Sequence, residues 1–562
     1  MTFPGKAKKM NRYEDSVLYR LLTDLVKFRS VSPSREGENR IARFIFETLS
    51  AQPYFRRHPE DVRLLPLEND PLGRHFVFAV VRAQEPTADT VLLAGHMDVV
   101  GVQACGSLAP FAFDPEEYTE RIRAADISPE VRKDLETGEW LFGRGVADMK
   151  SGLAGGMDLV MRAAGDGGSP GANIALLAVP DEENNSSGML SAASFLARFQ
   201  KEEKVRFLAC IMLEPTFAAG EEAKPSMYLG SIGKINPFFF CAGKETHVGE
   251  YYEGFSAAPV LSHINLMLDG SPEYADSRFG RSYPPFGCMR QTDLRREYSA
   301  TIMTRGFAFY SYLTATRLPG QILSEMRAIA AEALDRSISR YRKNAEAFSS
   351  LDGSGNPPKS WTPQVMDFED LSRRAEDLLG NNFTPFVEET LASAPEDADE
   401  RGRAIELVEA MVELCGLAGP LVIVGFLPPW YPHRSSLGDS EGERAAAWAA
   451  GETVREAEIR FGETLQLRPF FEGVSDLSYC GFQGPAPEMD VFARNMPGWG
   501  KLYSLPTEAL AELDIPVLNL GPLGRDAHKN TERIHLRYAM EVFPHLLEFL
   551  VKRIIEKSRT GV

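Results

Sequence analysis

The sequence predicts an α/β protein in which a mostly parallel sheet is accompanied by a smaller α+β domain inserted into the chain. Three observations support this prediction. Up to residue 230, near-continuous apolar strands alternate with helices, as in a parallel sheet that is covered on both faces. The next segment changes to the order strand, helix, two strands, helix and strand, which is typical of a small α+β domain. From Ser440 onwards the first pattern returns.

The first part of the main domain, residues 1–230, is predicted from the spacing of its apolar residues. Apolar side chains at helical spacing, such as Ile41, Ile45 and Leu49, indicate amphipathic helices. The predicted helices are Tyr13–Phe28, Gly37–Leu49, Met149–Ala164 and Gly188–Phe199. Apolar runs predict the strands Phe76–Val81, Thr90–Ala94, Asn173–Val179 and Arg206–Leu213.

The inserted domain is predicted over residues 231–428, and the main domain resumes over residues 429–562. The strands predicted in the insert are Lys234–Ala242, Ser299–Met303, Phe307–Leu313 and Pro420–Leu427. Its predicted helices are Ala257–Leu268, Gly320–Phe348 and Gly402–Cys415, with polar insertions at 270–297, 349–364 and 387–402. The last part of the chain should form a long helix after Ser440, the strands Leu467–Phe471 and Ile515–Leu520, and the helix Arg537–Lys557.

The composition argues against several classes of partner. The 562 residues include 61 basic and 79 acidic ones, a net charge of −18, and no basic stripe. Nucleic acid and anionic membrane are therefore not expected partners. The six cysteines are scattered singly, which indicates reduced thiols in a cytoplasmic protein. No apolar run approaches the length of a membrane span, and no signal-peptide block follows the basic N-terminus.

Two segments place metal-ligand residue types beside predicted elements. Asp148 lies in the segment GRGVADMK, residues 143–150, where an irregular turn meets a helix. Taken alone, this acid is better explained as a helix N-cap than as a ligand for a cation. His96 follows a buried strand, and a buried histidine is usually a satisfied core residue. The carboxyl end of a strand is nevertheless where open α/β sheets place their sites, and Asp98 can hold the other imidazole nitrogen.

Acidic residues end the next two predicted strands. Asp181, Glu182 and Glu183 follow one strand, and Glu214 follows the other. Three adjacent acids are electrostatically costly unless a cation compensates them or water solvates them, so a solvated turn is the alternative. His528 comes after the last predicted strand and also fits an ordinary surface histidine.

Taken together, these residues indicate a paired divalent-metal site. Two imidazoles and three or more carboxylates at the strand ends of one sheet suit two metal ions. Asp148 is expected to bridge the ions. Hydrolysis requires one further carboxylate, not bound to metal, that takes a proton from water, and either Glu182 or Glu183 can supply it.

The motifs resemble those of the zinc aminoacylase/carboxypeptidase-like metallopeptidase family, which includes glutamate carboxypeptidases, acetylornithine deacetylase and succinyl-diaminopimelate desuccinylase. They occur here in the family's order as GHMDVV, GRGVADMKSGLA, PDEE, LEPT and GPLGRDAHKNTE. The resemblance covers nearly the whole chain and implies a metallopeptidase catalytic domain with an inserted, ferredoxin-like α+β lid domain. The long lid and the segment FLPPWYP, residues 426–432, resemble the arginine-utilisation subgroup.

The resemblance implies a ligand set for two Zn²⁺ ions, with Co²⁺ or Mn²⁺ as alternatives. One ion would be bound by His96, Asp148 and Glu214. The other would be bound by Glu183, Asp148 and His528. The peptide bond after Asp148 is commonly cis in this family.

The resemblance also implies catalytic roles. Glu182 would be the general base, and Asp98 would orient the first histidine ligand. In the lid, the segment GKETH matches the family's Gly-Lys-x-x-His, so His247 would help to polarise the scissile carbonyl. In many relatives this histidine reaches across a dimer, so a homodimer formed through the lid is compatible with the resemblance. Two lid positions depart from the family pattern: Ser256 stands where Asn is usual, and Arg317 is out of register with the Arg that commonly grips a substrate carboxylate.

The sequence thus predicts a two-domain hydrolase that cleaves an amide bond of a small substrate, either an N-acyl amino acid or a short peptide. Two alternatives stay open. A metal-binding regulatory protein on the same fold would bind the ions without turnover. An aminopeptidase would require a free amine on its substrate.

Overall fold

The computed structural model describes residues 12–165, 168–169, 171–217, 224–295, 297–353, 357–395, 397–438 and 440–560. The chain forms two compact units. The first unit comprises Met1–Ser231, Arg434–Phe482 and Glu508–Val562, and the second comprises Ile232–His433 and Gln483–Thr507. The boundaries drawn from the sequence, with the insert at residues 231–428, stay a prediction. No helix among the described residues is both long enough and apolar enough to cross a membrane.

Among the described residues, most of the twenty-one strands belong to three sheets. In chain order the strands are β1 (Val62–Pro66), β2 (His75–Val81), β3 (Asp89–His96), β4 (Trp140–Phe142), β5 (Asn173–Val179), β6 (Arg206–Met212), β7 (Thr216–Phe217), β8 (Ser226–Tyr228), β9 (Gly230–Ser231), β10 (Gly233–Ala242), β11 (Ser277–Arg278), β12 (Arg281–Ser282), β13 (Gly287–Asp293), β14 (Arg305–Thr314), β15 (Gln364–Asp367), β16 (Leu421–Tyr431), β17 (Arg434–Ser435), β18 (Gln466–Arg468), β19 (Val517–Asn519), β20 (Leu523–Arg525) and β21 (Arg533–His535).

The α-helices of the described residues alternate with these strands. In chain order they are α1 (Val17–Lys27), α2 (Arg35–Ser50), α3 (Pro53–Arg57), α4 (Pro115–Arg121), α5 (Pro129–Thr137), α6 (Lys150–Gly165), α7 (Ser187–Glu202), α8 (Ala258–Leu268), α9 (Pro319–Asp352), α10 (Phe368–Leu379), α11 (Phe383–Ser393), α12 (Glu400–Leu414), α13 (Glu441–Phe461), α14 (Pro487–Arg494), α15 (Thr507–Glu512) and α16 (Phe543–Thr560).

The first unit is built around an eight-stranded sheet with the order β1-β2-β5-β3-β6-β19-β8-β18. Its inner strands β5, β3, β6 and β19 are parallel to one another, whereas β1 and β2 pair in antiparallel fashion. Every residue of β5 is buried, and all but Asn173 are apolar, as expected of a strand inside a sheet that is covered on both faces. The α/β prediction with a mostly parallel sheet is confirmed.

The second unit contains a five-stranded sheet with the order β13-β14-β10-β16-β15. Only β15 and β16 are parallel neighbours in this sheet, and the other pairs are antiparallel. The predicted strand Ser299–Met303 is wrong, because only an isolated bridge forms there. Its place in the sheet is taken by β13, which lies in the predicted insertion 270–297. No residue of β13 is buried, and its sequence GCMRQTD does not alternate apolar with polar residues, so this edge strand lacks the pattern that identifies a strand.

Candidate metal centre

Three parallel strands bring candidate ligands to one edge of the main sheet. His96 is the last residue of β3 and is paired with Val179 of β5. Glu182 and Glu183 follow the end of β5, and Glu214 follows the end of β6. Parallel neighbours present their carboxyl ends together, which is where open α/β sheets place their sites. The acids and the imidazole therefore meet, although they are far apart in sequence.

Helix α6 brings Asp148 to the same edge. The helix packs so closely against the chain after β6 that a Cβ atom on Gly152 would lie 1.9 Å from the carbonyl oxygen of Leu213. The small residues of α6 allow this approach. The peptide bond Asp148–Met149 is cis, which confirms the prediction from the resemblance. The sulfur of Met149 accepts a hydrogen bond of 3.1 Å from the backbone N–H of His96.

The carboxylate of Asp148 lies between the two histidines. Its Oδ1 atom is 3.1 Å from His96 Nε2, and its Oδ2 atom is 3.2 Å from His528 Nε2. His528 is carried by the connection between β20 and β21, and its Nε2 is 3.0 Å from Glu183 Oε2. Glu214 Oε1 is 3.5 Å from His96 Nε2. The structure thus brings together all five predicted metal ligands.

At this edge of the sheet, two groups of donor atoms have the spacing that a single ion needs. The first is formed by His96, Asp148 and Glu183, and the second by His96, Glu182 and Glu214, with the donor atoms of each group within 4.8 Å of one another. The second group contains Glu182, whose Oε2 is 4.0 Å from His96 Nε2. Its position fits a ligand as well as a base, so its predicted role as the base stays a prediction.

Asp98 organises the centre in two ways. The backbone carbonyl of Asp98 lies 3.0 Å from His96 Nδ1. Because a carbonyl oxygen only accepts, Nδ1 carries the proton and Nε2 is left as the ligand atom. The Asp98 carboxylate is 3.6 Å from the same nitrogen and accepts instead from the backbone N–H groups of Glu182 and Glu183, each at 3.2 Å. The sequence predicted an orienting role for Asp98 but not this second contact.

The turn that carries the two glutamates is fixed by Asp181. This residue has a φ of 72°, and its carbonyl oxygen accepts from the N–H of Ser186 at 2.7 Å. Its carboxylate accepts from Arg74 Nη1 at 2.5 Å and from the N–H of Ser187 at 3.1 Å. Arg74 also pairs with Glu38. Sequence reasoning missed Arg74 and Glu38, because both are distant in sequence and lie outside any motif.

The electrostatics of the centre favour cations. Burial raises the pKa of Glu182 and of Glu214 well above the usual range. Burial alone would lower the pKa of His96. The carboxylates of Glu214 and Asp148 raise it by more than burial lowers it, so the pKa lies well above 6.5. Buried carboxylates that outnumber the neighbouring imidazoles are costly without a compensating cation. Imidazole nitrogens and carboxylate oxygens are ligands that Zn²⁺ accepts, so these residues fit two divalent ions.

Two further buried ionisable groups lie near the centre and were missed by sequence reasoning. Lys150 donates from Nζ to the carbonyl oxygen of Phe28 at 2.8 Å, and burial lowers its pKa to about 7. Burial raises the pKa of Asp476 to about 7, and His96 is among the charges that act on it. Lys150 lies within GRGVADMK, and a charged residue at the start of a helix of small residues could have been recognised there as a candidate buried charge. Asp476 lies in no motif that the sequence analysis identified.

The predicted lid residues lie in the second unit. His247 is exposed, and its Nδ1 accepts from the N–H of Gly249 at 3.1 Å. The proton of a neutral ring is therefore on Nε2, which can donate. Ser256 Oγ accepts from the backbone N–H at the start of α8, at 3.3 Å. Arg317 is paired with Glu325 within the same unit, so its guanidinium already has a carboxylate partner.

Comparisons with known proteins give one family. Residues 92–518 match the peptidase family M20/M25/M40. The uncharacterized protein YqjN of Bacillus subtilis (strain 168) is 33% identical over 556 residues, which cover 98% of this chain and 99% of that protein. Protein RocB of the same strain is 28% identical over 550 residues, which cover 96% and 95% of the two chains. The crystal structure of aminopeptidase PepT from Bacillus cereus ATCC 10987 shares the fold at a TM-score of 0.50 and 12% identity, covering 96% of this chain and 98% of that chain.

The fold and the family match define a class of protein, the metal-dependent hydrolases. The chain belongs to peptidase family M20/M25/M40. The resemblance stated from the motifs is thereby confirmed at the level of the metallopeptidase family. The individual roles of the site residues stay predictions.

Proposed function

We propose that this chain is a di-zinc hydrolase that cleaves an amide bond of a small substrate, either an N-acyl amino acid or a short peptide. The observation that supports this most directly is the position of Asp148, with one carboxylate oxygen facing each of two imidazoles. A carboxylate shared in this way suits a pair of ions. Its partners His96, His528, Glu183 and Glu214 complete two sets of three ligands.

Under this proposal His96, Asp148 and Glu214 hold one ion, and Glu183, Asp148 and His528 hold the other. When bound, two Zn²⁺ ions supply Lewis acidity that polarises the amide carbonyl and acidifies water. Three ligand carboxylates leave about one positive charge uncompensated, which favours a substrate with an anionic group. Co²⁺ and Mn²⁺ suit the same donor set, and metal analysis distinguishes the three.

Glu182 is proposed as the residue that moves the proton. It takes a proton from the attacking water and delivers it to the leaving amine. Its backbone is held by Asp98 through a 3.2 Å hydrogen bond, so its position does not depend on its own carboxylate. In the lid, residues 231–428, the Nε2–H of His247 is a suitable donor to the oxygen that becomes negative in the transition state. A homodimer through the lid, a cytoplasmic location and a role in arginine utilisation belong to the same proposal.

The decisive experiment is a substrate screen of the zinc-loaded protein. N-acyl amino acids, dipeptides and arginine-derived amides are tested, each with a blocked and an unblocked amine. We expect turnover of at least one amide, retention of up to two ions per chain, and loss of activity with a chelator. Turnover confined to free amines would indicate an aminopeptidase. Failure to retain any specific divalent ion after reloading would refute the proposed metal centre.

A further inference from the structure

We propose that the buried pair Glu532 and Arg144 positions the two loops that carry Asp148 and His528, and thereby sets the affinity for metal. The inference rests on the metal centre of the proposed function. Neither residue is among the candidate ligands. The two side chains are only 2% and 1% exposed, so their partners are those within the fold.

Glu532 is bonded to the segment that ends in the bridging ligand. Its Oε1 accepts from the backbone N–H of Gly145 at 2.8 Å, of Ala147 at 3.3 Å and of Asp148 at 3.4 Å. Its own carbonyl oxygen accepts from the N–H of Gly143 at 3.2 Å. One carboxylate oxygen thus accepts three hydrogen bonds from the backbone of the irregular turn, including one from Asp148 itself.

Arg144 makes the reciprocal connection. Its Nη1 pairs with the other carboxylate oxygen of Glu532, and its Nη2 donates to the backbone carbonyl of His528 at 3.0 Å. Glu532, which belongs to the His528 loop, therefore holds the Asp148 turn, while Arg144, which belongs to that turn, holds the His528 loop. The guanidinium fork permits both contacts at once because it offers several donors in one plane.

The His528 loop requires such support. His528 has a φ of 67°. A non-glycine residue in the left-handed region persists only where its surroundings fix it. The imidazole of His528 is 50% exposed, so packing around the ring alone does not hold it. The contact from Arg144 reaches the backbone of His528 itself, and so bears directly on the position from which the ring reaches Asp148.

Stability by itself is a poor explanation for this pair. The free energy needed to remove two charges from water offsets much of what a buried ion pair gains, so such a pair is weak evidence for stabilisation. A partner that orients metal ligands has a distinct effect, because its loss typically lowers metal affinity by about 10–100-fold. The two explanations predict different measurements.

The test replaces Glu532 by Gln. The amide keeps the size and one acceptor oxygen but loses the charge that binds Arg144. Zn²⁺ affinity and stoichiometry are measured by competition with a chromophoric chelator. We expect the apparent affinity of the more weakly held ion to fall by about 10–100-fold. Asp276→Asn is the matched control, because Asp276 is also a buried carboxylate that accepts from backbone N–H groups, but it lies in the second unit.

The control should lower the unfolding temperature and leave Zn²⁺ affinity unchanged. Wild-type Zn²⁺ affinity in a folded Glu532→Gln variant would overturn the inference. If that variant does not fold, Arg144→Lys keeps a positive charge beside Glu532 but replaces the fork, whose two nitrogens bond Glu532 and the His528 carbonyl separately, by a single nitrogen. We expect Arg144→Lys to bind one ion more weakly, and wild-type affinity would again overturn the inference. Absence of specific Zn²⁺ binding in the wild-type protein would instead refute the metal centre itself.

Discussion

Replacing Glu182 by Gln should separate proton transfer from metal binding. The backbone of residue 182 is held by Asp98, so the substitution leaves the turn in place. An amide of the same shape cannot accept a proton from water at neutral pH. General-base catalysis is worth about 10²–10⁴-fold, so we expect turnover to fall by at least about 10²-fold while metal content stays near the wild-type value.

The neighbouring variant Glu183→Gln should behave in the opposite way. Glu183 Oε2 lies 3.0 Å from His528 Nε2, and its side chain is only 7% exposed. Neutralising it removes one charged ligand from a set of three. The loss of affinity for that ion should exceed the roughly 10–100-fold cost of losing an outer partner. Turnover should then recover in part when excess metal is added.

The assay measures metal content and kcat for both variants under the same reloading conditions. The two variants are directly comparable, because the backbone N–H groups of both residues donate to the same Asp98 carboxylate. Loss of metal in Glu182→Gln together with an intact site in Glu183→Gln would show that the two roles are reversed. Unchanged turnover in Glu182→Gln would refute the general-base assignment.

Three further predictions concern the lid, pH and packing. His247→Ala should keep both metal ions but lose most turnover, because its proposed contact is with the carbonyl oxygen; normal turnover would refute the lid alignment. Burial lowers the pKa of His433 to about 4, below about 6.5 in the unfolded chain. The neutral histidine therefore contributes fully to the free energy of unfolding above pH 6.5, and about 3 kcal/mol of this contribution is lost as the pH falls towards 4. In His433→Gln, the free energy of unfolding measured in urea should vary less with pH over this range. Gly152→Ala should destabilise the first unit by about 1–3 kcal/mol, since its Cβ would meet the Leu213 carbonyl at 1.9 Å. The matched control Gly451→Ala, in helix α13 with open space around it, should stabilise by about 0.5–1 kcal/mol, and equal effects of the two substitutions would contradict the packing argument.

Local sequence patterns predicted much of the first unit. An apolar run followed by an acid or a histidine is a local signal, so the positions of His96, Glu183 and Glu214 at strand ends could be read directly. The parallel arrangement then implied that they meet. Helix α6 was predicted for the same reason, because its small and apolar residues recur at helical spacing.

Interactions between distant segments could not be read in this way. The contact of Arg74 with Asp181 and that of Glu532 with Asp148 join residues that no local pattern relates. In the second unit, helices α10 and α11 were not predicted. The second of these helices runs into the acidic tract 387–402, which was interpreted as an insertion. The strand expected at Ser299–Met303 failed because β-branched and apolar residues there do not find a partner strand.

Because the first unit is built from segments that are distant in sequence, its parts are synthesised at different times. Its sheet places β19, from late in the chain, beside β6, from the first segment. Four of the five predicted ligands are synthesised before residue 231, whereas His528 follows the entire second unit. The nascent first segment therefore exposes an unpaired edge of β6 and an incomplete ligand set until β19 and His528 have been synthesised. Capture of the second ion should consequently be a late event in biogenesis, one that reports that the whole polypeptide has been made and folded.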